Sequence, residues 1–238
     1  MVLESYRERT AVYRAKLARP FLTTRPSTLT LVGLLLAVAA AVLSVLVRWT
    51  TPILFLPVAF LIFFSGVFDV LDGEVARATG TASRRGDFLD HVVDRYADVI
   101  LLVGIAACGF AYPLLALLAL ASLLLTSYMG TQAQAVGVGR MYSGLLSRAD
   151  RLMLLAGVTF VEGDLSLPWP WAPSAPWSRL AAFGISFTVI DLVLVWFVVA
   201  GQFTALDRAR RVYAALGASP GESDDPAPRS ATEPPRQR

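Results

Sequence analysis

The chain is poor in charged residues. They make up 16% of its 238 residues, whereas soluble domains average roughly 25%. Hydrophobic residues make up 55%, and the mean hydropathy is +0.59. Several apolar runs approach the ~20 residues needed to cross the hydrocarbon core of a bilayer. The composition therefore argues against a soluble enzyme and predicts a helical membrane protein.

The chain also lacks a second cysteine and a recognisable signal peptide. Cys108 is the single cysteine, so an intrachain disulfide is excluded. The first 20 residues are too polar to contain the apolar segment of ~7 to 15 residues that a signal peptide needs. We therefore expect the protein to be held in the membrane by its own spans.

Six apolar runs are candidate transmembrane helices. They cover residues 28–47, 52–71, 88–110, 112–136, 146–161 and 180–201. The fifth run is the shortest, and it must tilt or recruit the leucines that precede it to cross the bilayer. The predicted fold class is therefore an all-α integral membrane protein, a bundle of six transmembrane helices.

The two ends of the chain differ from these spans. Residues 1–20 alternate apolar and charged side chains, a pattern that predicts an amphipathic helix at the membrane interface. Residues 213–238 are rich in proline, serine and charge, which predicts a disordered tail. We therefore expect one membrane domain over residues 1–212, followed by a cytoplasmic tail.

Arginine-rich segments alternate with arginine-poor ones along the chain. The rich ones are the N-terminal segment, the connections between spans 2 and 3 and between spans 4 and 5, and the segment after span 6. In a six-span topology all four lie on one side, which the positive-inside rule makes cytoplasmic. We expect both termini to be cytoplasmic, and the basic side to favour anionic lipids over nucleic acid.

Acidic residues are few but concentrated. Seven of the 18 lie within 30 residues: Asp69, Asp72, Glu74, Asp87, Asp90, Asp94 and Asp98. Asp69 and Asp72 share one face at the end of span 2, and Asp90 and Asp94 share one face at the start of span 3. These faces can converge near the cytoplasmic interface, where clustered carboxylates repel one another strongly. One or two divalent cations would remove this repulsion, and oxygen ligands favour magnesium or manganese over zinc.

The segment between the acidic pairs has the residues that a phosphate ligand needs. Gly73 and Gly86 allow close approach of the backbone, Arg77 offers a planar guanidinium, and Ser83 adds a hydroxyl. A magnesium ion held by carboxylates usually completes its coordination with water and substrate phosphates. The sequence therefore predicts a diphosphate site beside the metal.

Eight fixed positions across this hairpin resemble the signature of the CDP-alcohol phosphatidyltransferase family. All of them, with their spacings, match: Asp69, Asp72, Gly73, Ala76, Arg77, Gly86, Asp90 and Asp94. The segment from Arg25 to Thr30 is also similar to the family's sequence at the start of span 1. The resemblance covers residues 1–212 and implies six spans, an interfacial N-terminal helix and a homodimer.

The resemblance also implies roles for individual residues. The metal ligands would be Asp69, Asp72, Asp90 and Asp94, with Asp94 also the general base and two Mg²⁺ or Mn²⁺ ions expected. The CDP-lipid would be held by Pro26, Ser27, Thr28, Gly73, Ala76, Arg77, Ser83 and Gly86. The implied reaction is attack by an acceptor hydroxyl on the lipid-side phosphorus of a CDP-lipid, either CDP-diacylglycerol or CDP-archaeol, with release of CMP in phospholipid biosynthesis.

Determinants of the acceptor are expected in spans 4 and 5. Residues 126–152 resemble in part the branch of the family that transfers a lipid phosphate to inositol phosphate. The predicted acceptor contacts are Arg140, Arg148, Arg151 and Gln132. That branch tends to place a lysine or arginine on the helix where this chain has Gly130, Gln132 and Gln134. The expected acceptor is therefore a polyol phosphate, either inositol phosphate or glycerol phosphate, and serine or another alcohol stays open as the alternative.

His91 and Asp191 have no role in the predicted site. The ring of His91, the only histidine, is expected to point off the aspartate stripe, and Asp191 is expected in the middle of span 6 without an evident partner.

A cation transporter would need acidic residues at the bilayer midplane and in both halves of the chain. A non-catalytic scaffold would have lost at least one signature position, and none is lost.

Overall fold

The fold is built from long helices. The computed structural model describes residues 13–139, 144–145, 147–167, 179–182 and 185–218. Its helices are α1 (Pro26–Val47), α2 (Phe55–Ala78), α3 (Arg84–Ala107), α4 (Pro113–Ala135), α5 (Arg148–Leu165) and α6 (Val189–Ala218). A short antiparallel hairpin, β1 (Arg179–Ala182) and β2 (Ile185–Thr188), precedes α6. The predicted helical class is confirmed.

Local sequence signals mark where the helices begin. α1 and α4 start with Pro26 and Pro113, because proline needs no hydrogen-bond acceptor in the first turn of a helix. The hydroxyl of Ser83 accepts a hydrogen bond from the N–H of Gly86 (3.1 Å) at the start of α3. Ser147 and Asp150 form a capping box at the start of α5, which satisfies two otherwise unpaired N–H groups.

Four stretches are long and apolar enough to cross a membrane. They are Pro26–Val47, Pro52–Ala78, Pro113–Ala135 and Val189–Gly217. In the described part of the chain, α3 and α5 fall outside this group, since both begin with several charged residues. Integral membrane character is therefore consistent with the structure, and the count of six spans stays a prediction.

The boundaries of α2 and α3 differ from the predicted spans. α2 continues to Ala78 instead of ending at residue 71, and α3 already begins at Arg84. Apolar runs report the buried length of a helix, and its polar ends extend beyond them. Asp69, Asp72 and Arg77 therefore all project from one helix.

The predicted span 180–201 begins too early. Its first residues form the hairpin, in which Arg179 pairs with Thr188 and Ala182 with Ile185. α6 starts only at Val189 and continues to Ala218, so the start of the predicted tail at 213–238 is helical. Residues 219–238 lie outside the described part of the chain.

Asp191 explains where α6 starts. Its carboxylate accepts hydrogen bonds from the N–H of Tyr112 (2.7 Å) and from the N–H and hydroxyl of Thr188 (both 2.9 Å). A carboxylate is favoured in the first turn of a helix, and burial is tolerated when its oxygens are hydrogen-bonded. Asp191 is therefore a buried capping residue that links α6 to the α3–α4 connection through Tyr112. The prediction that it lies in the middle of a span is wrong, because it lies in the first turn of α6.

Packing around α1 positions the site. α1 packs against both α2 and α3, α5 packs against α2, and α4 packs against α6. The hydroxyl of Ser65 donates to the carbonyl oxygen of Gly33 (2.8 Å), joining α2 to α1. The end of α2 and the start of α3 are thereby both positioned by the same helix, α1.

The predicted interfacial helix is described only at its end. Residues 13–18 are helical and lead into a short 3₁₀ turn, Arg19–Phe21, while residues 1–12 lie outside the described residues. Ala18 is buried against a small cluster that includes Leu29, Leu71 and Val75. The N-terminal segment is therefore attached where the acidic residues of α2 lie.

Replacing Gly104 with alanine is expected to destabilise the bundle. A Cβ at this position in α3 would lie 2.8 Å from both Cα and Cβ of Ala41 in α1. Overpacking of this kind costs about 1–3 kcal/mol, which should lower the unfolding temperature of Gly104→Ala in detergent. The matched control is Gly157→Ala in α5, where no described heavy atom lies within 4 Å of the added Cβ. Equal unfolding temperatures for the two variants would contradict the close α1–α3 contact.

Candidate active site

Carboxylates from two helices meet at one end of the bundle. Asp69 and Asp72 lie on α2, and Asp90, Asp94 and Asp98 lie on α3. The Nη1 atom of Arg148 contacts Asp69 Oδ1 and lies 2.8 Å from Asp94 Oδ1. The two acidic faces are therefore close enough for one nitrogen atom to contact both.

Asp72 is held by the first helix. The hydroxyl of Thr30 donates to Asp72 Oδ2 (2.5 Å), and both side chains are buried. Because Thr30 lies one turn into α1, this bond sets the distance between α1 and the acidic end of α2. Asp72 therefore faces the other carboxylates in one fixed direction.

The donor atoms in this region suit a divalent cation. Ligand atoms of Asp90, His91 and Asp94 lie within 4.8 Å of one another. Oδ1 of Asp90 is buried and accepts no hydrogen bond from any described residue, which is costly unless a cation or water is nearby. A cluster dominated by carboxylate oxygens fits magnesium or manganese, so the residues present fit the predicted metal.

His91 lies nearer to the carboxylates than the helix geometry predicts. Its Nε2 is 3.6 Å from Asp87 Oδ1, and its Nδ1 is 3.8 Å from Asp90 Oδ2. The side chain is long enough to fold back along α3 toward the preceding turn. The expectation that its ring points away from the acidic stripe is therefore wrong.

A small cavity of about 210 Å³ lies between the start of α1, the end of α2 and the start of α3. Most of the residues predicted to hold a CDP-lipid line it. They are Pro26, Ser27, Gly73, Ala76, Arg77, Ser83 and Gly86. Asp72 and Asp90 lie in its wall as well, whereas Thr28 is exposed and does not line it.

Arg77 enters this cavity from the last turns of α2. Its Nη2 lies 3.0 Å from Glu74 Oε1, which is also 3.3 Å from Nη1 of Arg14 in the N-terminal segment. A Cβ on Gly73 would lie 3.5 Å from the guanidinium nitrogens of Arg77. The glycine thus leaves room for the guanidinium, and Glu74 holds it over the cavity.

A larger cavity of about 830 Å³ opens on the other side of α3, toward α4, α5 and α6. Five arginines line it, namely Arg84, Arg95, Arg148, Arg151 and Arg208. The hydroxyl-bearing residues Thr126, Ser127 and Thr131 from α4 add polar atoms to its wall. The combination is that of a binding site for a polar anion.

The predicted acceptor contacts are only partly brought together. Arg148 and Arg151 line the larger cavity, whereas Gln132 is exposed on α4 and does not line it. Arg140 lies outside the described residues. Arg208 belongs to the arginine-rich segment after span 6, which the sequence analysis uses only for topology. In the structure its Nη1 donates to the carbonyl oxygen of Thr126 (2.6 Å) at the cavity wall. The place of Arg208 in the cavity wall depends on the packing of α6 against α4. Sequence spacing does not report such a long-range contact.

The two cavities share one stretch of α3. Asp87 lines both, Asp90 lines the smaller one and Asp94, one helical turn later, lines the larger one. The carboxylate cluster therefore stands between a site suited to a diphosphate and a site suited to a polar anion.

A comparison with protein families agrees with this geometry. The profile of the CDP-alcohol phosphatidyltransferase family matches residues 23–168. The chain belongs to the CDP-alcohol phosphatidyltransferase family, as its signature predicts. This membership does not support the alternative of a cation transporter.

Curated relatives carry two related names. The chain is 37% identical over 134 residues to the archaetidylinositol phosphate synthase of Methanothermobacter thermautotrophicus. The aligned region covers 56% of this chain and 66% of that protein. It is 33% identical over 178 residues to the phosphatidylinositol phosphate synthase of Mycobacterium marinum, covering 72% and 73%. A third, the phosphatidylinositol phosphate synthase of Mycobacteroides abscessus, is 32% identical over 61% of this chain and 66% of its own length. The chain thus spans just under two thirds of some of these relatives.

Solved structures share the fold. The phosphatidylinositol phosphate synthase of Mycobacterium tuberculosis with CDP-DAG bound superposes with a TM-score of 0.64 at 24% identity, covering 90% of this chain and 98% of that one. The same enzyme in complex with manganese and citrate gives a TM-score of 0.65 at 25% identity, covering 90% and 93%. A divalent metal has therefore been seen in a relative of this fold.

Manganese is expected to stabilise the protein through Asp90. A bound cation would relieve repulsion among the carboxylates, and at 100 times its dissociation constant it adds about 2.7 kcal/mol. Saturating Mn²⁺ should therefore raise the unfolding temperature of the wild type in detergent, and Asp90→Asn should lose most of this rise. Asp207→Asn is the matched control, because Asp207 pairs with Arg211 (2.8 Å) in α6. A rise in Asp90→Asn as large as in the control would exclude Asp90 as a ligand.

Proposed function

We propose that the protein transfers a lipid phosphate from a CDP-lipid to a hydroxyl of inositol phosphate and releases CMP. The observation that carries this proposal is the pair of cavities on either side of Asp90 and Asp94. A group-transfer enzyme needs two binding sites that meet at its reactive groups. The names of the curated relatives support inositol phosphate as the acceptor.

The smaller cavity is the proposed site of the donor. Arg77 offers a planar guanidinium to the diphosphate, and Ser83 at the start of α3 adds a hydroxyl. Pro26 and Ser27 form the α1 side of the cavity, and Gly73 would let the ligand approach the backbone of α2. The lipid chains stay in the hydrocarbon layer, because the cavity lies at one end of the apolar helices. Either ester-linked or ether-linked chains fit this arrangement.

The larger cavity is the proposed site of the acceptor. Its five arginines outnumber the two aspartates in its wall, Asp87 and Asp94, so the cavity favours an anionic ligand. Serine carries no phosphate and would use this excess of positive charge less well. Glycerol phosphate supplies the charge but fills less of the volume of about 830 Å³. Inositol phosphate supplies the same charge and, as the larger molecule, fills more of the cavity.

The proposed chemistry is a single displacement at phosphorus. The acceptor oxygen forms a bond to the lipid-side phosphorus, the bond from that phosphorus to the oxygen of CMP breaks, and CMP leaves. Asp94, which lines the acceptor cavity, accepts the proton of the attacking hydroxyl. When Mg²⁺ or Mn²⁺ ions are bound to Asp69, Asp72 and Asp90, they neutralise the charge that develops on the leaving CMP. Arg77 holds the diphosphate in line for the attack.

We extend the proposal to topology and assembly. All six helices cross the membrane, residues 1–212 form one catalytic unit, and both termini and the site face the cytoplasm. The arginines of the α2–α3 connection and of the α5 start support this orientation. We further propose a homodimer, as the family resemblance implies.

Release of CMP tests the reaction. Purified protein in detergent with Mg²⁺ is incubated with CDP-diacylglycerol or CDP-archaeol and, in parallel, with inositol phosphate, glycerol phosphate, serine or inositol. We expect CMP release that depends on inositol phosphate and falls by about 100-fold or more in Asp94→Asn, since a general base contributes that much. Release with serine alone would contradict the proposed acceptor, and no release with any pair would contradict the proposed reaction.

Arg151 is expected to govern the affinity for the acceptor. Removing one charge-assisted contact to a phosphate costs about 1.5–3 kcal/mol, so Arg151→Gln should raise the KM for inositol phosphate by about tenfold or more. The KM for the CDP-lipid should not change. Gln134→Ala, on the exposed side of α4, should leave both values as in the wild type. A rise in the KM for the donor instead would place Arg151 at the other cavity.

A further inference from the structure

Asp98 is a buried carboxylate that lies outside the eight-position signature. It follows Asp94 by one helical turn on α3, so it continues the same face deeper into the bundle. Only 5% of its surface is exposed. A buried carboxylate is costly unless cations or hydrogen-bond donors surround it, so its partners indicate what it does.

The partners of Asp98 are three arginines from two helices. Nη1 of Arg95 lies 3.2 Å from its Oδ2, and Nη2 of Arg151 donates a hydrogen bond of 3.3 Å to the same oxygen. Nε of Arg148 lies 3.6 Å from its Oδ1. Asp98 thus joins α3 to the first turn of α5 through both of its oxygens.

All three arginines line the larger cavity, and Asp98 does not. It instead lines a small, mostly apolar space together with Arg151, Leu152 and Phe197. The carboxylate therefore lies behind the wall from which the guanidinium groups reach the ligand.

Arg148 shows what this arrangement controls. Its Nη1 faces Asp69 and Asp94, while its Nε faces Asp98. Without Asp98, the attraction of the other two carboxylates would draw this guanidinium toward the metal-binding side. Nε of Arg151 is buried and donates to no group among the described residues, and Arg151 also lines the larger cavity.

We infer that Asp98 is a positioning residue that orients Arg95, Arg148 and Arg151 for the phosphate of the acceptor. This inference rests on the proposed function. Neutralising Asp98 would leave three neighbouring guanidinium groups to repel one another and to turn away from their common direction. The site would keep its charge but lose the geometry that a phosphate needs.

Kinetics of Asp98→Asn test the inference. We expect the KM for inositol phosphate to rise by about tenfold or more, because a buried charge pair loses one partner, while the KM for the CDP-lipid is unchanged. Asp207→Asn, which removes the carboxylate of an Asp–Arg pair outside both cavities, should change neither value. An unchanged or lower KM for inositol phosphate in Asp98→Asn would overturn the inference.

A second pair of variants separates positioning from folding. Asp98→Glu and Asp98→Gln have side chains of equal length and differ only in charge. We expect Asp98→Glu to keep a KM for inositol phosphate closer to the wild type than Asp98→Gln does. Equal KM values in the two variants would show that the carboxylate charge orients nothing.

A binding measurement does not depend on turnover. Inositol phosphate should raise the unfolding temperature of the wild type, and the rise should be lost in Asp98→Asn but kept in Asp207→Asn. If the wild type releases no CMP but shows this pattern, the proposed function fails while the positioning role of Asp98 stands. A rise of equal size in both variants would overturn the positioning role, whatever the activity.

Discussion

Compensation of clustered negative charge is the constraint on which the site depends. Asp72, Asp94 and Asp98 are buried at the end of an apolar bundle, where isolated carboxylates are costly. Arginines from α3 and α5 approach one side of this cluster, and Thr30 donates a hydrogen bond on another. The remaining oxygens, with Asp90 among them, suit a divalent cation. Charge balance thus explains why basic and acidic residues occupy adjacent walls of the same site.

The helical framework brings these charges together. α1 contacts both α2 and α3 through small residues, with Gly33 bonded to Ser65 and Gly104 placed against Ala41. Close approach at these points aligns the end of α2 with the start of α3. The two cavities then form on opposite sides of the aspartates of α3, which is the arrangement that a transfer between two substrates requires.

Features set by local spacing were predictable from the sequence, and features set by distant contacts were not. The aspartate pairs share helix faces because residues three and four apart always do. Pro26 and Ser27 reach the smaller cavity only because α1 packs against α2. The contact of Arg148 with Asp69 joins residues far apart in sequence, and no periodicity reports it. The hairpin before α6 and the capping role of Asp191 were missed because an apolar run does not reveal where its helix starts.

The central claim is that donor and acceptor occupy separate cavities that meet at Asp90 and Asp94. An experimental structure with manganese, an unreactive CDP-lipid analogue and inositol phosphate tests it most directly, because anomalous scattering locates the metal independently. The account predicts manganese at the aspartates, the diphosphate against Arg77, and the phosphate of the acceptor against Arg148 and Arg151. Both ligands in the same cavity, or an acceptor phosphate remote from these arginines, would contradict it.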